Sequence, residues 1–240
     1  MIKPIKDLGQ NFLRNQEAIN KIVALLEITE DDEILEIGPG EGVLTKVCLA
    51  NQVNFKLVAL DIDPRSVEEL NKISDSRFEI KLGNFLEQKI PANKILGAIP
   101  YNITSPILHK IIDYEFLPKK VVLVIQKEVA EKITDKKGSY LKDFINFYYD
   151  ISYIFTINKE DFYPIPKVDS AVITLEIKEI LPNFDKKKLS NFLHKVFRTP
   201  RKKINKVFSK QILNKLDIDE NKRPEDLTLI ELENLFAEET

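Results

Sequence analysis

Short apolar runs recur along the first three quarters of the chain and set its period. Glu33 to Ile37, Lys56 to Asp61, Phe78 to Leu82, Lys94 to Ile99, Val121 to Gln126, Ile151 to Ile157 and Ala171 to Ile177 read as strands. Before the first of them Asn15 can cap a helix whose apolar positions Ala18, Ile19, Ile22, Val23 and Leu26 return at helical spacing. Another helix is expected from Val43 to about Ala50, and helical patterns fill most of the later gaps. Strands that alternate with helices predict an α/β fold, a seven-stranded mainly parallel sheet covered by helices on both faces. The last two strands follow each other closely and predict an antiparallel, hairpin-like edge.

The pattern changes near Glu179. Leu181-Pro182 breaks the chain, and the remainder reads as short helices near Asp185 to Val196, Lys203 to Leu213 and Pro224 to Phe236. Two domains are therefore expected, a sheet domain over 1–178 and a small helical domain over 179–240. A length of 240 residues suits one ordinary domain with such an appendage.

Composition narrows the classes. With 43% apolar and 31% charged residues and 7 glycines, the chain has the profile of a globular protein rather than a disordered or fibrous one. No apolar run reaches the roughly 18 residues of a membrane span, and Met1-Ile2-Lys3-Pro4 does not lead into a signal-peptide core. A cytoplasmic location is the expectation. One cysteine, Cys48, and two histidines, His109 and His194, offer no recognised metal-site spacing and no internal disulfide. Cys48 is read as core, and both histidines as ordinary helix-face residues. The net charge of −2 argues against a nucleic-acid partner, but its distribution does not. The stretch KVFRTPRKKINKVFSK, Lys195 to Lys210, carries seven basic residues and no acid. Such a run is either a solvated helix face or a contact for nucleic-acid phosphates.

The candidate chemistry gathers at strand ends. In ILEIGPGEGVLT a strand passes through a glycine-rich turn into a helix, so the backbone can approach a ligand and helix N–H groups can face it. Asp61, at the end of the next strand about twenty residues on, can accept from both ribose hydroxyls of a nucleoside. Gly38, Gly40 and Gly42 follow a G-x-G-x-G spacing, which fits S-adenosylmethionine better than a dinucleotide. Asp63 is expected to cap the helix that begins at Pro64. Ile62, between the two acids, is a further cofactor candidate. Asn84 follows the third strand, and its amide can pair with an adenine edge while Phe85 packs on the ring; an asparagine there is equally a turn residue.

The fourth strand delivers AIPYNIT to the same sheet edge. With it, the chain resembles the ribosomal RNA adenine N6-dimethyltransferase family, whose members include the KsgA/RsmA enzymes and the Erm methyltransferases. DLGQNFL (7–13), EIGPGEGVLT, AIPYNITSPIL, VIQKEVAEKI (124–133), FYPIPKVDSAV (162–172) and RPEDLTLIEL (223–232) resemble family motifs in the family's order. LGQNFL and FYPIPKVDSAV favour the KsgA/RsmA branch over Erm. The resemblance covers nearly the whole chain and implies a Rossmann-like methyltransferase sheet. It also implies cofactor contacts from Asn11, Leu13, Gly38, Asp61, Asn84 and the position of Ala98, with Tyr101 and Phe162 holding the target base. The implied substrate is two adjacent adenosines in a hairpin loop near the 3′ end of small-subunit (16S) ribosomal RNA, in an immature 30S particle, each taking two methyl groups. The basic residues Lys167, Arg198, Arg201, Lys202, Lys203 and Lys206 would then meet phosphates. A monomer without metal or membrane partner is expected.

Three positions depart from the family pattern. Ala98 stands where the family has asparagine before Leu-Pro-Tyr, Asn84 where aspartate is common, and Asp61 where glutamate is common. Ala98 removes a side-chain acceptor and leaves the Ile99 carbonyl, held by Pro100, to face the adenine amine. The expected activity is therefore an adenine dimethyltransferase slowed at the transfer step. Alternatives are an Erm-like enzyme of large-subunit RNA and a non-catalytic assembly factor of the small subunit.

Overall fold

The computed structural model describes residues 2–239; Met1 and Thr240, the outer ends of the two expected domains, lie outside them. The chain forms two compact units, one of the described residues up to Ala130 with Ser152–Ile177, the other of Glu131–Ile151 and the described residues from Lys178 on.

The elements run β1 (Phe12–Leu13), α1 (Gln16–Ala24), β2 (Glu33–Ile37), α2 (Val43–Leu49), β3 (Lys56–Asp61), α3 (Pro64–Leu70), β4 (Phe78–Leu82), β5 (Lys94–Ala98), α4 (Thr104–Ile112), β6 (Lys120–Gln126) and α5 (Lys127–Thr134). They continue through α6 (Tyr140–Asn146), β7 (Tyr149–Ile157), β8 (Phe162–Tyr163), β9 (Ser170–Ile177), α7 (Lys186–Phe197), α8 (Lys210–Lys215) and α9 (Leu229–Glu239). A seven-stranded sheet has the order β4-β3-β2-β5-β6-β9-β7, and β1 pairs separately with β8. β4, β3, β2, β5 and β6 are parallel neighbours. After β2 the chain goes outward to β3 and β4, then returns to β5 on the other side of β2. That reversal opens a crevice at the carboxyl ends of β2 and β5, where open α/β sheets take ligands.

The last two expected strands are neighbours at the sheet edge, as expected, with the later one on the inside. β9 lies between β6 and β7 and pairs antiparallel with β6, from Lys120↔Glu176 to Gln126↔Ser170. The burial pattern explains the order: β9 is buried along most of its length, as a strand covered on both faces should be, while β7 alternates and suits the sheet edge. The core of the first unit joins Ile22 of α1 and Leu26 just after it, Ile34 of β2, Leu57 of β3 and Leu96 of β5. Cys48 lies fully buried in the same cluster, and burial pushes its thiol pKa up, which leaves it a packing residue.

In the second unit Asp185 caps α7 by accepting the Lys188 N–H. The helix expected over Lys203 to Leu213 is split into a 3-10 turn at Ile204–Lys206 and the short α8, which Ser209 caps by accepting the Ile212 N–H. A serine that can bond its own downstream backbone starts a new helix rather than continuing one. Pro224–Asp226 is likewise a separate 3-10 turn before α9. Glu131–Ile151, expected within the sheet domain, joins the helical unit. Its α6 is the reason: the Tyr140 ring stacks on His194 of α7 with centroids 3.8 Å apart, and the Tyr140 and Ser190 hydroxyls are 2.9 Å apart. Phe147 follows and meets Phe184, which packs on Phe236, which packs on Phe192.

Candidate active site

A cleft in the first unit is lined by the turn after β2, the ends of β3 and β5, the turn after β4, and the β1 and β8 ribbon. The turn Gly38-Pro39-Gly40-Glu41-Gly42 begins where the apolar β2 ends. Gly38 and Gly40 have φ of +66° and +57°, a conformation that side chains rarely adopt. A Cβ on Gly40 would come within 2.8 Å of the Phe12 ring, so that ring lies directly on the backbone. A Cβ on Gly38 would meet nothing within 4 Å. The loop is thus packed against Phe12 at Gly40 and open to the cleft at Gly38.

The two acids after β3 divide their work as their bonds dictate. Asp61 is buried; Oδ2 accepts the Gly40 N–H at 3.0 Å and Oδ1 accepts the Asp63 N–H at 2.9 Å. Burial raises its pKa, and the backbone donors oppose that rise. Asp63 accepts the Arg65 N–H as the cap of α3, is paired with the Arg65 guanidinium at 2.6 Å, and takes a bond from Gln10 Nε2 at 2.8 Å. Arg65 above all holds the Asp63 carboxyl down, to about 2. Asp61 therefore faces the cleft, and Asp63 is the cap the sequence predicts. Ile62 between them is 54% exposed on the cleft rim.

Asn84 and Phe85 follow β4. Asn84 Oδ1 accepts the Leu86 N–H at 3.0 Å and Nδ2 donates to Glu87 at 2.9 Å, so both polar ends of the side chain are used within its own turn. Phe85 is buried beside the cleft, 6.3 Å from the Tyr114 ring. Leu13 is buried in β1, and Asn11 Nδ2 donates to the Gly9 carbonyl at 3.1 Å.

β5 ends at Ala98, one residue earlier than expected, although the Ile99 N–H still reaches the Val124 carbonyl at 3.2 Å. The partly buried Ala98 packs against the core cluster from the cleft floor. Pro100 takes φ −58° and ψ 135°, and a 3-10 turn over Tyr101–Ile103 leads into α4. The Tyr101 hydroxyl lies 2.6 Å from Ser170 Oγ, which fixes the ring; burial raises the phenol pKa. Phe162 of β8 is buried and also lines the cleft. Asn11, Leu13, Gly38, Gly40, Asp61, Ile62, Asn84, Phe85 and Ala98 to Tyr101 all line this same cleft.

Sequence reasoning passed over several participants. Gln10, Phe12, Ile103, Ile107 and Val124 also line the cleft, and Ser170 holds Tyr101. Glu36 stands beneath the glycine turn at 1% exposure, with Thr45 Oγ1 donating to its Oε2 at 2.5 Å and Oε1 unpartnered among the described residues. Burial lifts its pKa to about 7, and the nearby Asp61 adds to the rise. A lone acid inside the apolar run of β2 was the available signal.

The basic residues are elsewhere. Lys167 is exposed on the loop after β8 in the first unit, and the others belong to the second. Arg198, Arg201, Lys202 and Lys206 are exposed on the turns after α7, not on a helix, and their side chains have no partner among the described residues. Lys203 Nζ donates to Asn221 at 2.8 Å, Lys195 pairs with Glu239, and Lys210 pairs with Glu220.

Comparison with known proteins is consistent across sequence and fold. A family model described as "Ribosomal RNA adenine dimethylase" matches residues 2–238. A relative named ribosomal RNA small subunit methyltransferase A, from Mycoplasmopsis synoviae, is 39% identical over 250 residues, covering 97% of this chain and 95% of that protein. The crystal structure of a dimethyladenosine transferase from Plasmodium falciparum superposes with a TM-score of 0.86 at 26% identity, covering 95% of this chain and 96% of the other. That of the 23S rRNA methyltransferase ErmE has a TM-score of 0.77 at 24% identity, covering 95% and 98%, a likeness of fold.

Proposed function

The chain belongs to the ribosomal RNA adenine dimethylase family, and from that premise we propose that it transfers methyl groups from S-adenosylmethionine to the N6 amines of two adjacent adenosines in a 3′-terminal hairpin loop of small-subunit ribosomal RNA. The substrate form is an immature 30S particle in the cytoplasm, met by a monomer. The observation that carries this is the convergence of the glycine turn, Asp61 and the Ala98 to Tyr101 loop on one cleft.

The chain's own residues fit the cofactor. Gly38 opens onto free space where a side chain would stand. Each Asp61 oxygen accepts one backbone N–H and keeps a lone pair for a ribose hydroxyl. Exposed Ile62 and buried Phe85 offer apolar surface for an adenine ring. Asn84, engaged in its own turn, reaches the base edge only by exchanging its bond to Glu87. When bound, S-adenosylmethionine supplies a methyl on a positively charged sulfur, an electrophile that needs no prior deprotonation of the amine.

The amine itself is a weak nucleophile because its lone pair is delocalised into the ring. An acceptor for its hydrogens favours the pyramidal nitrogen and opposes the charge that develops on attack. Pro100 has no N–H and restricts Ile99, which aims the Ile99 carbonyl. Tyr101, fixed through Ser170, and Phe162 supply faces for a base out of its stack. Ala98 offers no second acceptor, so transfer runs on the order of 10² to 10³ slower than in an Ala98→Asn form. The exposed cations after α7, with Lys167, contact phosphates.

Mass spectrometry of small-subunit RNA after incubation with cofactor tests both parts. Dimethyladenosine should accumulate slowly with this protein and faster with Ala98→Asn. Equal rates would remove the missing acceptor from the account. Ala98 also favours a second reading, a non-catalytic factor in small-subunit assembly; retained subunit binding with no transfer even after Ala98→Asn would select it. Methylation of the large subunit alone would select an Erm-like role.

A further inference from the structure

β1 and β8 form a ribbon of two pairs, Phe12↔Tyr163 and Leu13↔Phe162. Partners in an antiparallel pair share a face. Leu13 and Phe162 are both buried and line the cleft. On the opposite face the pattern breaks: Phe12 is 8% exposed and Tyr163 is 57% exposed. The Arg14 guanidinium lies over both rings, 5.9 Å from each centroid, and so extends the packed ring of Phe12 out to Tyr163. Arg14 is held there, by an ion pair with Glu41 of the glycine turn at 2.6 Å and by its own N–H on the Asp161 carbonyl at 2.7 Å. The Tyr163 hydroxyl has no partner among the described residues. Exposed Ile165, Lys167 and Val168 follow on the same loop.

We propose that Tyr163, backed by Arg14, is a stacking site for an unpaired nucleobase flanking the adenine that enters the cleft. This rests on the RNA reading above and deepens it. An aromatic ring with a guanidinium on one side and solvent on the other presents a free π-face, which every base can stack on. Its place fits the neighbour of the target: Tyr163 shares its ribbon face with Phe12, whose side chain lines the cleft, and a nucleotide beside a flipped adenine has lost its own stacking partner. Lys167 supplies a cation for the connecting phosphate. Arg14, neutralised by Glu41, contributes rigidity to the platform rather than net charge.

The probe is a hairpin RNA with unpaired adenosines in its loop and 2-aminopurine on either side of them in turn. Binding to the full chain quenches the fluorophore at one of the two positions. Tyr163→Phe keeps the quenching; Tyr163→Ala abolishes it and weakens RNA binding by roughly 5- to 150-fold, the range for one stacked base. An abasic nucleotide at that position weakens the wild-type protein by the same factor and leaves Tyr163→Ala unaffected. Unchanged quenching and affinity in Tyr163→Ala overturn the site while leaving the proposed function standing. Loss of affinity that an abasic RNA does not reproduce also overturns it and marks the ring as a support of the ribbon rather than a contact for a base. A wild-type chain that binds neither this hairpin nor immature small subunits overturns the RNA reading and this site with it.

Discussion

Asp61 Oδ2 accepts the amide hydrogen of Gly40 at 3.0 Å, which ties the end of β3 to the turn after β2. The acid therefore shapes the loop as well as facing the cleft. Its second oxygen does the same for Asp63. Replacing it with asparagine keeps one acceptor and turns the other into a donor that confronts a backbone N–H. A charge-assisted bond is worth about 1.5–3 kcal/mol, so Asp61→Asn should weaken S-adenosylmethionine binding by roughly 10- to 100-fold in calorimetry. RNA affinity should not move. Equal cofactor affinity would show that Asp61 does not face the ribose.

Glu36 makes stability depend on pH in a direction opposite to that of most carboxylates. Its folded pKa, about 7, lies above the ordinary value of 4.5. The folded state therefore holds the proton more tightly than the unfolded chain, and stability falls as pH rises between those values. It is fully present below about 4.5 and fully lost above about 7. Asp61 and Asp143, both raised by burial, act in the same sense. Glu36→Gln preserves the neutral shape and removes the titration. Thermal melts should show the variant gaining several degrees over the parent at pH 8 and little or nothing at pH 4.5. A constant difference across that range would mean that Glu36 does not titrate in the folded protein.

Period and turn chemistry carried most of the fold. The strand runs and the capping residues Asn15 and Asp63 are local features, and they form as their neighbours dictate. What escaped depends on contacts distant in sequence. The insertion of β9 between β6 and β7 follows from which strand needs two covered faces, and α6 joins the helical unit because Tyr140 finds His194. The cleft residues were legible because strand ends in an open sheet converge whatever the loops do. Asn84 shows the limit: its residue type permits an adenine contact and an Asx turn equally, and only the geometry displays the turn. Phe12 and Ser170 were invisible because each acts on a partner far along the chain.

The turns after α7 present four exposed cations without partners among the described residues, Arg198, Arg201, Lys202 and Lys206. Each phosphate contact contributes roughly 0.7 to 0.9 to the slope of log affinity against log salt. Converting all four to alanine should flatten that slope by about 3 and weaken RNA binding most at low salt. Lys203, already bonded to Asn221, should contribute less than any of them. Filter-binding titrations at several salt concentrations measure both. An unchanged slope would return this run to a merely solvated surface.

Tyr101 separates two roles that one residue holds together. In the proposed function its ring is the face for the base, while its hydroxyl, 2.6 Å from Ser170 Oγ, fixes the angle of that ring. Tyr101→Ala removes both and should lower kcat/KM for RNA by roughly 5- to 150-fold, the worth of a stacked base. Tyr101→Phe and Ser170→Ala each remove only the anchoring bond, worth about 1 kcal/mol, and should cost no more than about fivefold. The double variant Tyr101→Phe with Ser170→Ala should cost no more than either alone, because both break the same bond. Rates measured in the Ala98→Asn form, where transfer is fast enough to compare, complete the cycle. Additive losses would mean that the hydroxyl and Ser170 act on the substrate separately, and a Phe variant as slow as the Ala variant would mean that the hydroxyl, not the ring, is what the base meets.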